Sequence, residues 1–209
     1  MIHVDLQPEP INFHRDVRIP GKSFLQRVPV PSGKQWKNKD YWKRTSADLY
    51  GAYNGICAYT GLWFSKSTAP VSVDHFLPKS KRPELAYEWN NYRLTTQIMN
   101  NYKDDNLIVD PFEIHNGDFI LDFPSCLIKA NPNLPREKID KIQFTIDVLK
   151  LNSNDDQVQA RCDIIISFVN EEISKQYLKR RYPFIAYELE RQNLLDKIKE
   201  MVKPLKNSN

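Results

Sequence analysis

Asp74 and His75 stand side by side at the end of Val71-Ser-Val-Asp-His75, where apolar and polar residues alternate. The alternation predicts a short half-buried strand. Pro78, which has no N–H for a ladder, ends it. Asn91-Tyr-Arg-Leu94 and Met99-Asn-Asn-Tyr-Lys103 follow. The stretch Leu94 to Lys103 lacks Gly and Pro and predicts a short helix. On that helix Asn100 and Lys103, three apart, share a face. The order predicted is a strand with Asp-His, a loop with Asn91, and a helix with Asn-x-x-Lys. An imidazole, a carboxylate and an amide carried this way can serve one base and one hard metal ion.

That chemistry suits phosphodiester hydrolysis, which needs an activated water, a counter-charge on the phosphate and help for the leaving oxygen. Neutral His75 can take the proton of the water, since an imidazole titrates near working pH. Mg²⁺ prefers oxygen ligands and keeps several waters, so the Asp74 carboxylate and an Asn carbonyl suffice for Mg²⁺ or Mn²⁺. Neighbours on a strand point to opposite faces. A twist or bulge must therefore bring both Asp74 and His75 to the site, or the ligation is indirect. Lys103 either meets a phosphate or ties the helix to the strand. Asn101 is the register alternative to Asn100, and His115, in a turn outside this pattern, could replace one of these residues. Each piece is weak alone; order and close spacing carry the weight.

The rest of the chain must position these residues. With 209 residues, 41% apolar and 27% charged, it can build one sizeable core. No apolar run is long enough to span a bilayer, and no basic-then-apolar leader is visible, so no membrane association and a cytoplasmic location are expected. Cys57, Cys126 and Cys162 are widely spaced and odd in number, as expected of reduced, mostly buried thiols. Prolines crowd the start, so residues 1–40 are expected to form an extended basic arm packed through Phe13, Phe24, Leu25 and Trp36. Nine Lys/Arg lie between Arg15 and Arg44, opposed within that span by Asp16 and Asp40. Such a segment suits a polyanion, and equally a solvated surface.

Residues 41–54 predict one helix with Trp42, Leu49 and Tyr53 inward, and Leu62 to Phe64 a short strand. Leu107 to Phe112 and Phe119 to Phe123 read as two strands around the turn His115-Asn-Gly-Asp118. After Pro135 apolar stripes predict three helices: Ile139 to Leu149, a long one from Val158 to about Arg181, and a last one through Leu194, Leu195, Ile198, Met201 and Val202. The expected fold class is α+β. Its parts are an extended basic arm (1–40), a core with flanking strands (41–125) and a helical C-terminal region (126–209), the whole possibly one continuous domain.

The motifs resemble those of the HNH endonucleases, whose core is a ββα-metal unit. Asp74-His75-Phe-Leu-Pro78-Lys-Ser80, Asn91-Tyr-Arg-Leu94 and Asn100-Asn-Tyr-Lys103 follow that family's pattern. With Gly55-Ile-Cys-Ala-Tyr59, Ala86-Tyr-Glu-Trp-Asn90 and Thr145-Ile-Asp-Val-Leu-Lys-Leu-Asn152, roughly residues 50–165 resemble the HNH nuclease subunit of Septu-type and retron-associated bacterial antiphage defence systems. The resemblance implies that His75 is the general base and that Asp74 and Asn100 ligate the metal. Asn91 is the central Asn, ordering its loop and the His75 backbone, and Lys103 is auxiliary. It also implies DNA as substrate and an ATPase protein as partner. A non-catalytic DNA-binding or assembly module of the same fold, and a stand-alone restriction-type nuclease, are the competing expectations. Many relatives hold zinc through two Cys-x-x-Cys pairs. Here those positions carry Cys57, Thr60, Thr96 and Met99, so no structural zinc is expected.

Overall fold

The computed structural model describes residues 1–195, 197 and 198. Its architecture is α+β, with two small antiparallel sheets among helices. One apolar cluster runs from Met1 through Ile198. The division at residue 125 falls inside a hairpin, and the three parts expected from sequence share that cluster.

Residues 1–10 have no regular secondary structure and are held by Val4 N–H to the Pro111 carbonyl (3.0 Å) and by Trp89 Nε1–H to the Gln7 carbonyl (2.7 Å). Beyond them the expectation of an extended arm fails. His14–Arg18 forms a π-helical turn that leads into α1 (Ile19–Arg27). Proline inside a helix clashes with the carbonyl four residues back. Pro20 is accommodated because it sits in the first turn of α1, directly after the wider π-turn. Phe13, Phe24 and Trp36 are buried as expected, and Leu25 partly so. Much of the basic charge is already paired. Arg18 bonds Glu9 and Glu88, and Lys22 also reaches Glu88, an acid far along the sequence.

Tyr41–Thr45, a 3-10 turn, continues into α2 (Ser46–Ala52), burying Trp42 and Leu49, with Tyr53 buried just beyond. The predicted strand at Leu62 to Phe64 is reduced to a single bridge between Ile56 and Trp63. β1 (Val71–His75) pairs antiparallel with β2 (Tyr92–Thr96) without a bulge, Asp74 opposite Arg93 and His75 opposite Tyr92. The helix α3 (Gln97–Lys103) follows at once. The predicted helix therefore starts three residues late. Tyr92 to Thr96 are aromatic or β-branched at three of five places and suit a strand. The Thr96 hydroxyl then accepts from Met99 N–H and caps α3.

The second hairpin also differs from expectation. Leu107 to Phe112 is irregular: Asp110 caps the turn at Phe112 N–H (3.0 Å) and holds Arg93 Nε (2.8 Å). β3 (Phe119–Asp122) pairs instead with the downstream β4 (Leu127–Ala130), across a turn where Cys126 takes φ +55°.

α4 (Arg136–Val148) and α5 (Asp155–Val169) follow, and Asn154 caps α5 by accepting from Gln157 N–H, as its position predicts. The long predicted helix breaks after Val169. Glu171 is left-handed at φ +65°, and Ser174 caps α6 (Lys175–Arg181). Pro183 opens α7 (Pro183–Arg191). Of the last predicted helix, Leu195 and Ile198 are buried, while Met201 and Val202 lie outside the described residues. Among the described residues no helix is long and apolar enough to cross a membrane.

Candidate functional site

Among the described residues β1 pairs only with β2, and Val71 to His75 help line an open cleft of ≈ 480 Å³. Trp42, Lys43 and Ser46 line one wall, Asn100, Asn101, Asp104 and Asp105 the other, with Asp74, His75 and Lys79 between.

The alternation of β1 is kept, so Asp74 and His75 have separate surroundings. His75 lies among rings: Trp42 edge-on at 4.7 Å between centroids and Tyr92 at 5.3 Å. Its Nε2 is 2.9 Å from the Ala86 carbonyl oxygen. A carbonyl only accepts, so Nε2 carries the proton and Nδ1 keeps the lone pair. Burial, helped by the Lys79 and Lys103 charges, pushes the His75 pKa down to about 3, although the bond to Ala86 works the other way. The ring is therefore neutral throughout the physiological range.

Asp74 turns to the other face and is 3% exposed. The Tyr59 hydroxyl donates to its Oδ2, and Lys103 Nζ lies 3.3 Å from its Oδ1. Burial raises the Asp74 pKa against the pull of Lys103, Tyr59 and Arg93. Burial, and then the Asp74 charge, hold the Tyr59 hydroxyl well above its usual range. Lys103 is fully buried and also donates to the His75 carbonyl (3.0 Å). Of the two roles open to it, the geometry gives it the tie between α3 and β1.

Asn91 closes the loop between the two strands. Its Oδ1 accepts from Leu77 N–H (2.8 Å), and its Nδ2 donates to the carbonyls of Leu77 (3.0 Å) and Leu85 (3.2 Å). That loop delivers Ala86, whose carbonyl fixes the His75 tautomer and also accepts from Tyr92 Oη (2.8 Å). Asn91 thus orders the loop from Leu77 to Leu85 that leads to Ala86.

Asn100 Nδ2 donates to Ser72 Oγ on β1 (2.8 Å). Asn100 and Lys103 therefore meet Ser72 and Asp74, two residues apart on one strand face. Asn101 instead accepts from Gln97 Nε2, both on the cleft side of α3 but without a bond to β1. His115 is exposed in the turn before β3, away from the cleft. At the positions of the two cysteine pairs, Cys57 is buried beside Thr95 Oγ1 (3.4 Å), and the Thr60 hydroxyl accepts from Leu62 N–H. Thr96 caps α3, and Met99 is core.

Three residues in or behind the cleft carry parts that sequence reading does not assign. Tyr59 holds Asp74, but only its place in a short motif marks it. Trp42 reads as a core residue, yet its ring edge meets His75. Lys79 reads as an exposed cation, yet its ammonium lies 5.6 Å over the Trp42 ring and it lowers the His75 pKa.

Among the described residues no group of three or more His, Cys, Asp or Glu gathers to hold a metal. The smaller set of one carboxylate and one amide fits a hard ion that keeps most of its waters. Asn100 spends its N–H on Ser72, which leaves its carbonyl oxygen for a ligand. Asp74 retains lone pairs beyond those used by Tyr59 and Lys103, since a carboxylate accepts about four bonds.

The His75 surroundings predict a pH effect on stability. Unfolded, the imidazole titrates near 6.5; folded, at about 3. Between those values the unfolded chain takes up a proton that the folded protein refuses. Stability is thus fully present above pH 6.5 and falls as pH drops toward 3, by roughly 4 kcal/mol from this group. The raised Asp74 pKa acts oppositely and offsets part of the loss. Urea unfolding in EDTA at pH 7 and pH 4 should show a smaller drop for His75→Phe than for the wild type. Equal drops would mean that His75 is not the group responsible.

No family model and no curated protein matches the chain.

Proposed function

We propose that this chain is a metal-dependent HNH-type endonuclease that hydrolyses DNA phosphodiester bonds in the β1–α3 cleft. The observation that carries the reading is His75. Its Nε2–H is held by Ala86, so a neutral imidazole keeps the lone pair of Nδ1, and His75 lines the cleft together with Lys79. Two antiparallel strands followed directly by a helix, with Asp-His on the first and Asn-x-x-Lys on the helix, are the arrangement the ββα-metal resemblance implies.

In this reading His75 Nδ1 takes the proton of the attacking water. A phosphodiester entering the cleft counters Lys79, a lesser cause of the low His75 pKa than burial, and so raises the basicity of the imidazole in part. Lys79 neutralises phosphate charge. Asn91 holds the loop that fixes the His75 tautomer, and Lys103 holds Asp74 and the end of β1. Because β1 has no bulge and Asp74 faces away from His75, Asp74 would act on the ion through bound water while Asn100 offers its carbonyl oxygen; together they would hold Mg²⁺ or Mn²⁺, which when bound supplies positive charge for the phosphate and the departing 3′ oxygen. The narrower resemblance extends the proposal to the effector nuclease of a cytoplasmic antiphage defence system, working with an ATPase subunit.

One observation favours the second reading, a non-catalytic DNA-binding module. Asp74 is already paired with Lys103 and Tyr59, which lowers its appetite for a cation. Relaxation of supercoiled plasmid separates the two. The catalytic reading expects nicking with Mg²⁺ or Mn²⁺, its arrest by EDTA, and a loss of about 100-fold or more in Asn100→Ala. Binding without nicking, with and without an ATPase partner, leaves only the module.

A further inference from the structure

A second pocket, ≈ 470 Å³, lies at the far end of α2 and is lined by Tyr50, Gly51, Asn54, Trp63, Arg180 and Arg181. Aromatic rings and cations alternate around it. The Arg181 guanidinium sits 4.2 Å over the Trp63 ring, the Lys66 ammonium 4.3 Å over Tyr50, and Arg180 5.7 Å over Tyr177. Among the described residues, none of these three cations has a carboxylate partner. The neighbouring Lys175 and Lys179 do, both on Glu190. Arg181 Nε is buried and has no hydrogen-bond partner.

The frame is rigid. Trp63 N–H donates to the Arg181 carbonyl (2.8 Å), and Tyr50 Oη donates to the Phe64 carbonyl (2.7 Å). Gly55 at φ +68° packs so closely under the Tyr50 ring that a Cβ there would lie 2.5 Å from it. Two guanidiniums in the pocket wall and the Lys66 ammonium over the Tyr50 ring, none with a carboxylate partner among the described residues, together with one orphaned donor, call for an anion. Flat rings between the charges match a ligand in which planar bases alternate with phosphates; a carboxylate peptide would leave the rings unused.

We propose that this pocket binds single-stranded nucleic acid, with a phosphate at Arg180, Arg181 and Lys66 and a base against Trp63 and Tyr50. Ser46 lines the cleft and Tyr50 this pocket, and the two are four apart on one face of α2. One strand leaving the cleft along that face meets the second pocket about 6 Å further on. Binding here does not require hydrolysis at His75.

The test is fluorescence anisotropy of a labelled 20-nucleotide oligo-dT with the full chain in EDTA, across a salt series. Lys66→Gln and Arg180→Gln, both replacements of cations without ion pairs, should each weaken binding about three- to tenfold. Each should also flatten the slope of log K against log salt by about 0.7. Arg136→Gln, on an exposed face of α4, should change neither. Unchanged affinity and slope in the first two variants overturn the proposal, and so does polyglutamate that competes as well as oligo-dT at equal charge. Absence of nicking by the wild type with oligo-dT binding weakened by Lys66→Gln and Arg180→Gln would fail the hydrolytic reading alone; nicking by the wild type with oligo-dT binding untouched by those changes would fail this one alone.

Discussion

Replacing His75 by Ala should lower plasmid cleavage by about 10²–10⁴-fold, the usual contribution of a general base, while DNA binding is kept. The fold should survive the change. The Ala86 carbonyl, which loses His75 Nε2–H, still accepts from Tyr92 Oη at 2.8 Å, so no buried acceptor is orphaned. The cavity left between Trp42 and Tyr92 is lined by rings and should cost about 2–4 kcal/mol, within the range for emptying a core site. It is also the size of the ring removed, so added imidazole should restore part of the rate. His75→Gln keeps a donor near Ala86 but has no basic lone pair, and its loss of rate should match that of the alanine variant. A His75→Ala protein that cleaves at more than a tenth of the wild-type rate would remove the proposed base, whatever the cleft does otherwise.

Lys103→Met should be the most destabilising of the single changes at the site, by about 3–5 kcal/mol in urea unfolding at pH 7. The ammonium is fully buried and serves the Asp74 carboxylate, the His75 carbonyl and, at 3.4 Å, the Asp104 carbonyl. Methionine fills the volume but strands a buried carboxylate. The Asp74 pKa, already raised by burial, should rise further once its cation is gone. A raised carboxyl pKa means that the folded state gains protons before the unfolded state does. The deficit relative to wild type should therefore shrink as pH falls. Asp74→Asn in the Lys103→Met background should recover part of the loss, because the remaining side chain carries no charge. If Lys103 met substrate phosphate instead, Lys103→Met would leave stability nearly unchanged and lower only DNA affinity.

Motif reading and geometry agree best where a residue acts through its backbone neighbours or a fixed helical offset. Asn91 is such a case: one amide satisfying an N–H and two carbonyls of its own loop is a local matter, and its position before β2 marks it. Asn100 over Asn101 is another, since the three-residue offset to Lys103 decides which Asn faces β1. The reading fails where distant residues override local pattern. The prolines near the start suggested extended chain. Residues 14–27 are nevertheless helical, because Phe13, Val17, Gly21 and Phe24 face the core and Glu88 neutralises Arg18 and Lys22. At Gly21 the Tyr87 ring comes so close that a Cβ would lie 2.1 Å from it, a contact with no trace in local periodicity. Leu107 to Val109 looks like a strand, but Asp110 is taken by Arg93 and β3 turns to β4 instead.

At the site, residue order alone places an imidazole next to a carboxylate on one strand, and an amide and an ammonium three apart on one helix. These follow from periods of two and 3.6, which short segments obey whatever surrounds them. What surrounds each group comes from packing between distant segments. Strand alternation sends Asp74 and His75 to opposite faces. Which face is polar cleft, which holds Tyr59 and Lys103, and which carbonyl settles the His75 tautomer depend on residues brought in from elsewhere in the chain. Protonation and charge pairing are set by burial and by partners within a few ångströms, and those are properties of packing rather than of spacing.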